Sequence, residues 1–354
     1  MKLDMSALLE TLVEKKASDL HISANSPPKI RIDERLANIS GDILYAEDTK
    51  NLAYSMLSKE QIVIFERTKE LDFSFELAKK GRFRVNVFIQ RGNIGIAIRL
   101  IPFKIMSFEE CGLPVDIVTS LCRKPKGLVL VTGATGMGKS TSLASMVDFI
   151  NSERDCHIVT VEDPIEFVHT NKKALIDQRE IHYDTLSFGS ALKHVLRQDP
   201  DVILIGEMRD LETIESALII AETGHLVFAT LHTSDSIQTI NRVIDVFPSH
   251  QQQQIRTQLS FVLLGVLSQQ LIPKPQSSGR VLATEVLVVT SAIRSLVRES
   301  KIHQIYSNIQ TGQKEGMRTM NQALYELQKK GSISYEECFA RSTDVEDLAR
   351  LFKK

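Results

Sequence analysis

The chain has 354 residues, 43% of them hydrophobic and 25% charged, with a formal net charge of -1. That length exceeds one ordinary core and predicts two domains, the composition is that of a soluble globular protein, and the balanced charge argues against a protein whose main task is to coat nucleic acid. No apolar run reaches the roughly 18 residues of a membrane span, and the opening MKLDMSALLETLVEKK is charged and amphipathic without a secretory apolar segment, so a cytosolic location is expected.

Residues 3–16 alternate apolar and polar at helical spacing. Strand-like runs follow at Leu20–Ser23, Lys29–Ile32, Leu71–Glu76, Arg82–Ile89 and Gly95–Leu100, with helical stretches at Ala46–Leu57 and Lys59–Arg67 and turns at Ser26-Pro27-Pro28 and Lys80-Gly81. This predicts a small α+β domain over residues 1–102, a linker over 103–115 and a second domain over 116–354. In the second domain strands are predicted at Gly127–Thr132, His157–Val161, Asp201–Ile205 and Leu226–Thr230. Between and beside them lie helices at Lys139–Asn151, Ser187–Arg197 and Leu211–Glu222. Such alternation predicts an α/β domain with a parallel sheet. After Pro248 the chain reads as mostly helical, with one strand-like stretch at Arg280–Val289. The four cysteines (Cys111, Cys122, Cys156 and Cys338) contain no C-x-x-C pair, which argues against zinc and for structural thiols.

The stretch Gly133, Ala134, Thr135, Gly136, Met137, Gly138, Lys139, Ser140, Thr141 reads G-x-x-x-x-G-K-S-T between a predicted strand and a predicted helix. Its glycines let backbone N–H groups turn toward phosphates, Lys139 should reach the β- and γ-phosphates of ATP, and the Ser140 hydroxyl should ligate Mg²⁺. Two further apolar strands end in acids. DVILIGEMRD carries Glu207 one residue past Gly206, placed to assist the metal, and IVTVEDPIEF carries Glu162 and Asp163, placed to orient or deprotonate an attacking water. In TGHLVFATLHTSDS, His225 and His232 flank a strand, and His232 lies where a sheet edge would face the γ-phosphate. Arg82, Arg84, Arg91 and Arg99 lie on or between two consecutive strands of the first domain, and on sequence alone a solvated basic face accounts for them.

These blocks, in this order, resemble the secretion-superfamily ATPases, most closely the type IV pilus retraction ATPases of the PilT and PilU group. GATGMGKST looks like the family's Walker A, TVEDPIEF its Asp box, VILIGEMRD its Walker B and TGHLVFATLHT its His box. ASDLHIS, PPKIRID and RFRVNVFIQRGNIG near the start, and AIRSLVRE at 292–299, extend the resemblance over nearly the whole chain. The resemblance implies a PAS-like N-terminal domain, a RecA-like P-loop ATPase domain with a helical C-terminal region, and a homo-hexameric ring that hydrolyses ATP with Mg²⁺. It implies Glu162 as catalytic base, with Glu207 as an alternative base, and Arg84 and Arg99 as the arginines that reach the phosphates. It also implies an inner-membrane pilus platform protein as partner and a peripheral position at the cytoplasmic base of the pilus. RGNIG, GAT and HTNKKALIDQRE look like PilU, whereas AIRxLxRE looks like PilT with Ser295 in place of its Asn. A retraction motor is therefore the first reading, an accessory ATPase working with a second retraction ATPase the alternative. A nucleic-acid translocase follows only from the shared core.

Overall fold

The computed structural model describes residues 4–15, 17–32, 35–39, 42–77, 81–101, 104–275 and 279–353. The expected domain boundary at residues 102 and 103, and the first residue of the Lys80-Gly81 turn, lie outside the described residues. The chain forms two compact units, Met1–Lys104 and Ile105–Lys354.

The first unit contains α1 (Met5–Glu14), β1 (Asp19–Ile22), β2 (Lys29–Ile32), β3 (Arg35–Asn38), α2 (Ala46–Tyr54), α3 (Lys59–Thr68), β4 (Glu70–Leu77), β5 (Gly81–Gln90) and β6 (Asn93–Ile101). All its strand neighbours are antiparallel, in the order β3-β2-β1-β6-β5-β4. Alternation builds one apolar face: Phe83, Val85 and Val87 of β5 and Ile94, Ile96 and Ile98 of β6 are buried with Leu8, Leu9 and Leu12 of α1. Helix α3 starts on a reciprocal cap, in which Ser58 Oγ accepts from Gln61 N at 3.2 Å and Ser58 N donates to Gln61 Oε1 at 2.8 Å. This is the α+β unit expected of a PAS-like domain. The sequence pattern does not predict β3; its four residues, Arg35–Asn38, are all exposed, so no buried face marks it.

The second unit opens with α4 (Phe108–Cys111) and α5 (Val115–Cys122), so a short helix stands where a linker is expected. Then come β7 (Gly127–Thr132), α6 (Lys139–Glu153), β8 (His157–Glu162), β9 (Leu175–Glu180), α7 (Phe188–Val195), β10 (Val202–Ile205), α8 (Leu211–Glu222), β11 (Leu226–Leu231), α9 (Ser236–Asp245), α10 (Gln252–Val262), β12 (Leu263–Pro273) and β13 (Arg280–Val288). Helices α11 (Ser291–Arg298), α12 (Ile305–Thr311), α13 (Met320–Lys329), α14 (Tyr335–Arg341) and α15 (Val345–Phe352) complete it. The sheet runs β13-β12-β7-β11-β10-β8-β9, parallel except for the β12–β13 pair. Both faces are covered. Leu128 and Leu130 of β7 pack on the side of α8 and α10, while Val129 and Val131 pack on the side of α5 and α6.

Two strands of this unit escape the sequence pattern. β9 is the sheet edge, and its sequence LIDQRE alternates without a strong apolar face. β12 follows α10 with no turn residue between them, since Val262 ends the helix and Leu263 begins the strand. The stretch SFVLLGVLSQQLI, apolar over residues 261–264, is therefore legible as a continuing helix, and the expectation of a mostly helical chain after Pro248 fails there. Gly265 marks the switch: a Cβ on it would lie 2.9 Å from Leu287 O, so the close pairing with β13 admits only hydrogen.

Candidate functional site

Because β7, β11, β10 and β8 are adjacent and parallel, the residues after each strand meet at one sheet edge. That edge carries the glycine-rich loop after Thr132, His232 after Leu231, Gly206 and Glu207 after Ile205, and Glu162 as the last residue of β8. Crevices at the carboxyl ends of such sheets are where α/β proteins bind ligands.

The loop after β7 is built around glycines in conformations closed to other residues. Gly133 has φ +141°, and a Cβ there would sit 2.5 Å from Gln269 O. Gly138 caps α6 in the left-handed region, and no side chain caps the helix. The first-turn N–H groups of a 15-residue helix thus lack a side-chain acceptor, the arrangement that receives an anion. Lys139 is buried; its Nζ donates to Gly133 O at 2.8 Å and Ala134 O at 3.1 Å, so the loop curls around its own ammonium. Burial lowers the Lys139 pKa, opposed by the charges of Glu207 and Glu166. Ala134, Thr135 and Gly136 are exposed, while Ser140 and Thr141 stand half-buried in the first turn of α6.

Met137 has a definite partner. β12 pairs with β7 up to Ser268 opposite Thr132 and then runs on to Pro273. Past the end of β7, the N–H of Leu271 finds its acceptor in the Met137 sulfur at 3.2 Å. Other contacts fasten the loop and its flanks to β12 and β13: Thr132 Oγ1 donates to Ser268 Oγ at 2.9 Å, Gln269 Nε2 to Ser142 Oγ at 2.7 Å, and Arg280 Nη1 to Gly136 O at 3.3 Å.

Glu207 Oε1 lies 2.7 Å from Arg209 Nε and 2.7 Å from His232 Nε2. His232 Nδ1 in turn lies 3.5 Å from Lys139 Nζ. An ammonium can only donate, so the imidazole tautomer with its proton on Nε2 satisfies both contacts. Burial raises the Glu207 pKa, but Arg209 and His232 outweigh it and hold the carboxyl below the usual range. The glycine before the acid has a steric cause: a Cβ on Gly206 would lie 3.2 Å from both Val161 O and Glu162 Cα. Gly206 N donates to Val161 O at 2.8 Å and Gly206 O accepts from Thr230 Oγ1 at 2.6 Å, which clips the turn between β8 and β11.

Glu162 is partly buried. Its Oε1 accepts from Thr160 Oγ1 at 2.7 Å and Gln178 Nε2 at 3.3 Å, and its carboxylate also receives the backbone N–H of Glu166. Burial pushes its pKa up to about 7, aided by the Glu166 charge and opposed by those three hydrogen bonds. Asp163, next in the chain, is exposed. His225 sits at the other end of β11, with Nδ1 3.0 Å from Ile220 O, a contact that closes a helix-to-strand turn.

Arg84 and Arg99 belong to the first unit, where they stand directly opposite each other on β5 and β6. Arg99 Nε donates to Asp19 Oδ1 at 2.9 Å, while Arg84 is exposed. Sequence reasoning missed Thr160, Gln178, Thr230 and Arg209 as supports of the two acids. Only Thr160 had a local signal, since it lies two residues before Glu162 on one strand and so shares its face.

In α11, which carries the AIRSLVRE stretch, Ile293 and Val297 are buried in the core. Ser295 Oγ accepts from Arg298 Nη2 at 3.3 Å, and the Arg298 guanidinium stands 5.8 Å from the Phe261 ring centre. Among the described residues no helix is long and apolar enough to cross a membrane.

The family model described as type II/IV secretion system protein matches residues 2–340. The chain is 49% identical to the type IV pilus retractation ATPase PilT of Pseudomonas aeruginosa over 334 residues, covering 94% of this chain and 96% of that one. It is 38% identical to the type IV pilus ATPase PilU of the same organism, covering 99% and 92%. A crystal structure of the pilus retraction motor PilT with bound ADP superposes with a TM-score of 0.93 at 48% identity, over 98% of this chain and 99% of that one.

Proposed function

From the premise that this chain belongs to the type II/IV secretion system protein family, we propose that it is an ATPase that drives type IV pilus retraction. The observation that carries the reading is the convergence of the glycine-rich loop, Glu162, Glu207 and His232 on one edge of four adjacent strands. The near full-length likeness to a retraction ATPase, and to a retraction motor solved with ADP, supports a nucleotide as the ligand proposed for that edge.

ATP binds with its phosphates on the 133–141 loop, where the open N-terminus of α6 and Lys139 stabilise negative charge. The Lys139 ammonium, which Gly133 O and Ala134 O hold at the mouth of the loop, is placed to meet phosphate oxygens there. Ser140 and Glu207 offer a hydroxyl and a carboxylate, hard oxygen donors suited to Mg²⁺. Held by these groups, Mg²⁺ would supply positive charge against the phosphate oxygens. Glu162, with a pKa near 7, takes the proton of the attacking water. Arg209 and His232 fix the Glu207 carboxylate, and His232 links it to the phosphate-binding lysine.

Arg84 and Arg99 are the arginines proposed to complete the nucleotide site, and the assembly proposed is a homo-hexameric ring of chains built from an N-terminal domain (1–102), a linker (103–115) and an ATPase domain (116–354). The ring acts at the cytoplasmic base of the pilus, peripheral to the inner membrane, on a platform protein there. Identity to PilT exceeds identity to PilU by 49% to 38%, which supports a principal motor over an accessory one. The test is Glu162→Gln, which should bind ATP yet hydrolyse it about 10²–10⁴-fold more slowly, joined to complementation of a retraction-defective strain that has no second retraction ATPase. Normal hydrolysis by the variant removes Glu162 as base, and failure to complement removes the principal-motor role.

A further inference from the structure

Beside Glu162 the edge strand β9 makes an unusual use of one amide. Gln178 stands in register with Thr160 of β8, and Glu180 with Glu162. Gln178 Oε1 accepts the backbone N–H of His169 at 2.8 Å, and its Nε2 donates to Phe167 O at 2.8 Å and to Glu162 Oε1 at 3.3 Å. The orientation is fixed by these partners: turning the amide over would set its oxygen against a carbonyl and its nitrogen against an N–H. Two residues on, the buried Glu180 accepts the N–H of Ile165 at 3.3 Å. Adjacent same-face positions of β9 therefore fasten the 165–169 segment, and that segment includes Glu166, whose own N–H donates to the Glu162 carboxylate.

We propose that Gln178 is a positioning residue for ATP hydrolysis, holding the Glu162 carboxylate directly and, by clamping Phe167 and His169, holding the loop that supplies its third donor. The inference rests on Glu162 acting as the base. The charged groups around that carboxylate are Asp163 and Glu166 in the loop, Glu180 across on β9, and Glu207 and Arg209 past β10, with Arg209 acting on Asp163 and Glu166 on Glu162 itself. His169 is uncharged at neutral pH, because burial lowers its pKa to about 4. Each donor to the carboxylate stabilises its ionised form. Loss of the Gln178 donor therefore moves the ionisation of Glu162 upward, and a carboxylate in its place moves it further.

The experiment measures kcat and KM for ATP from pH 5.5 to 9 with the full chain, in the parent protein, Gln178→Glu, Gln178→Met and Glu162→Gln. Gln178→Glu keeps the acceptor for His169 and loses the donor, while Gln178→Met keeps the length and loses both. The expected result is a kcat roughly tenfold lower at pH 7 with KM within about twofold. The acid limb should shift to higher pH in both Gln178 variants, more in Gln178→Glu. A limb that stays in place while Glu162→Gln is inactive overturns the positioning role and leaves the base assignment standing. The positioning role is equally overturned if kcat falls by the same factor at every pH together with a lowered melting temperature, since a merely structural role does that. An active Glu162→Gln overturns both.

Discussion

Glu285 is a buried carboxylate whose removal should destabilise the second unit. It lies on β13, 3% exposed, and Oε1 accepts both the backbone N–H and the hydroxyl of Ser236 at 2.8 Å. The backbone N–H of Met320 donates to it as well. Ser236 is the first residue of α9, four residues after His232, and Met320 is the first residue of α13. One buried group thus satisfies the N-termini of the helix that follows the His box and of a helix in the C-terminal bundle. Glu285→Ala leaves two buried backbone N–H groups without an acceptor, at about 1–3 kcal/mol each. Part of that is returned because the carboxylate no longer has to be desolvated. The net loss is about 3 kcal/mol, which for a unit of this size lowers Tm by roughly 6–12 °C. Glu285→Gln keeps an acceptor oxygen and should stay within about 1 kcal/mol of the parent. Burial raises the Glu285 pKa, so the folded chain binds this proton more tightly than the unfolded chain. Its contribution to stability is therefore greatest at low pH and declines as pH rises from the ordinary glutamate range through the raised value, a decline that Glu285→Gln abolishes. Calorimetric melting of the three proteins at pH 5 and pH 7.5 measures all of this. An alanine variant melting within about 2 °C of the parent, or a glutamine variant as damaged as the alanine one, refutes the reasoning.

Gly133→Ala places a methyl 2.5 Å from Gln269 O at φ +141°, so nucleotide affinity should fall at least tenfold in equilibrium binding; unchanged affinity would show that the loop can shift freely. Met137→Leu retains bulk but strips the acceptor from the Leu271 N–H, which should destabilise by about 1 kcal/mol and raise KM for ATP a few-fold, both measurable on the purified protein. If the leucine variant matches the parent in both, the sulfur contact has no energetic weight. With its carboxyl pushed up to about 7, Glu162 must lose its proton before it can act, so kcat/KM for ATP should climb with pH through 7 and stand at about one-tenth of its plateau at pH 6. A flat profile between pH 6 and 8 contradicts the assignment.

The glycine loop, the two acid-terminated strands and His232 were legible because each is a local pattern: an apolar strand, then a functional residue at its carboxyl end. Parallel alternation of strands and helices then puts such ends on one edge without further information. The first unit was legible for a similar reason, since β5 and β6 alternate cleanly. What supports the acids was not. Gln178 reaches Glu162 from 16 residues away on an edge strand whose letters alternate too weakly to announce it. Thr230 reaches Gly206 across 24 residues, between strands that neighbour each other only after the sheet has formed. Such pairings are fixed by register, and register is a property of the assembled sheet.

The same distinction explains Met137, for which the G-x-x-x-x-G-K-S pattern itself gives no reason. Glycines at 133, 136 and 138, all with positive φ, permit the loop's shape but do not select it, because glycine has many other conformations to lose. Selection comes from its seat. Ser268, Gln269 and Leu271 of β12 contact Thr132, Ser142 and Met137 from at least 127 positions away in sequence. β12 is the strand that the sequence conceals, since it continues a helix without a turn. With the strand hidden, Met137 is an arbitrary letter. Once β12 runs past the end of β7, an N–H needs an acceptor at that height, and an unbranched side chain carrying a polarisable sulfur reaches it.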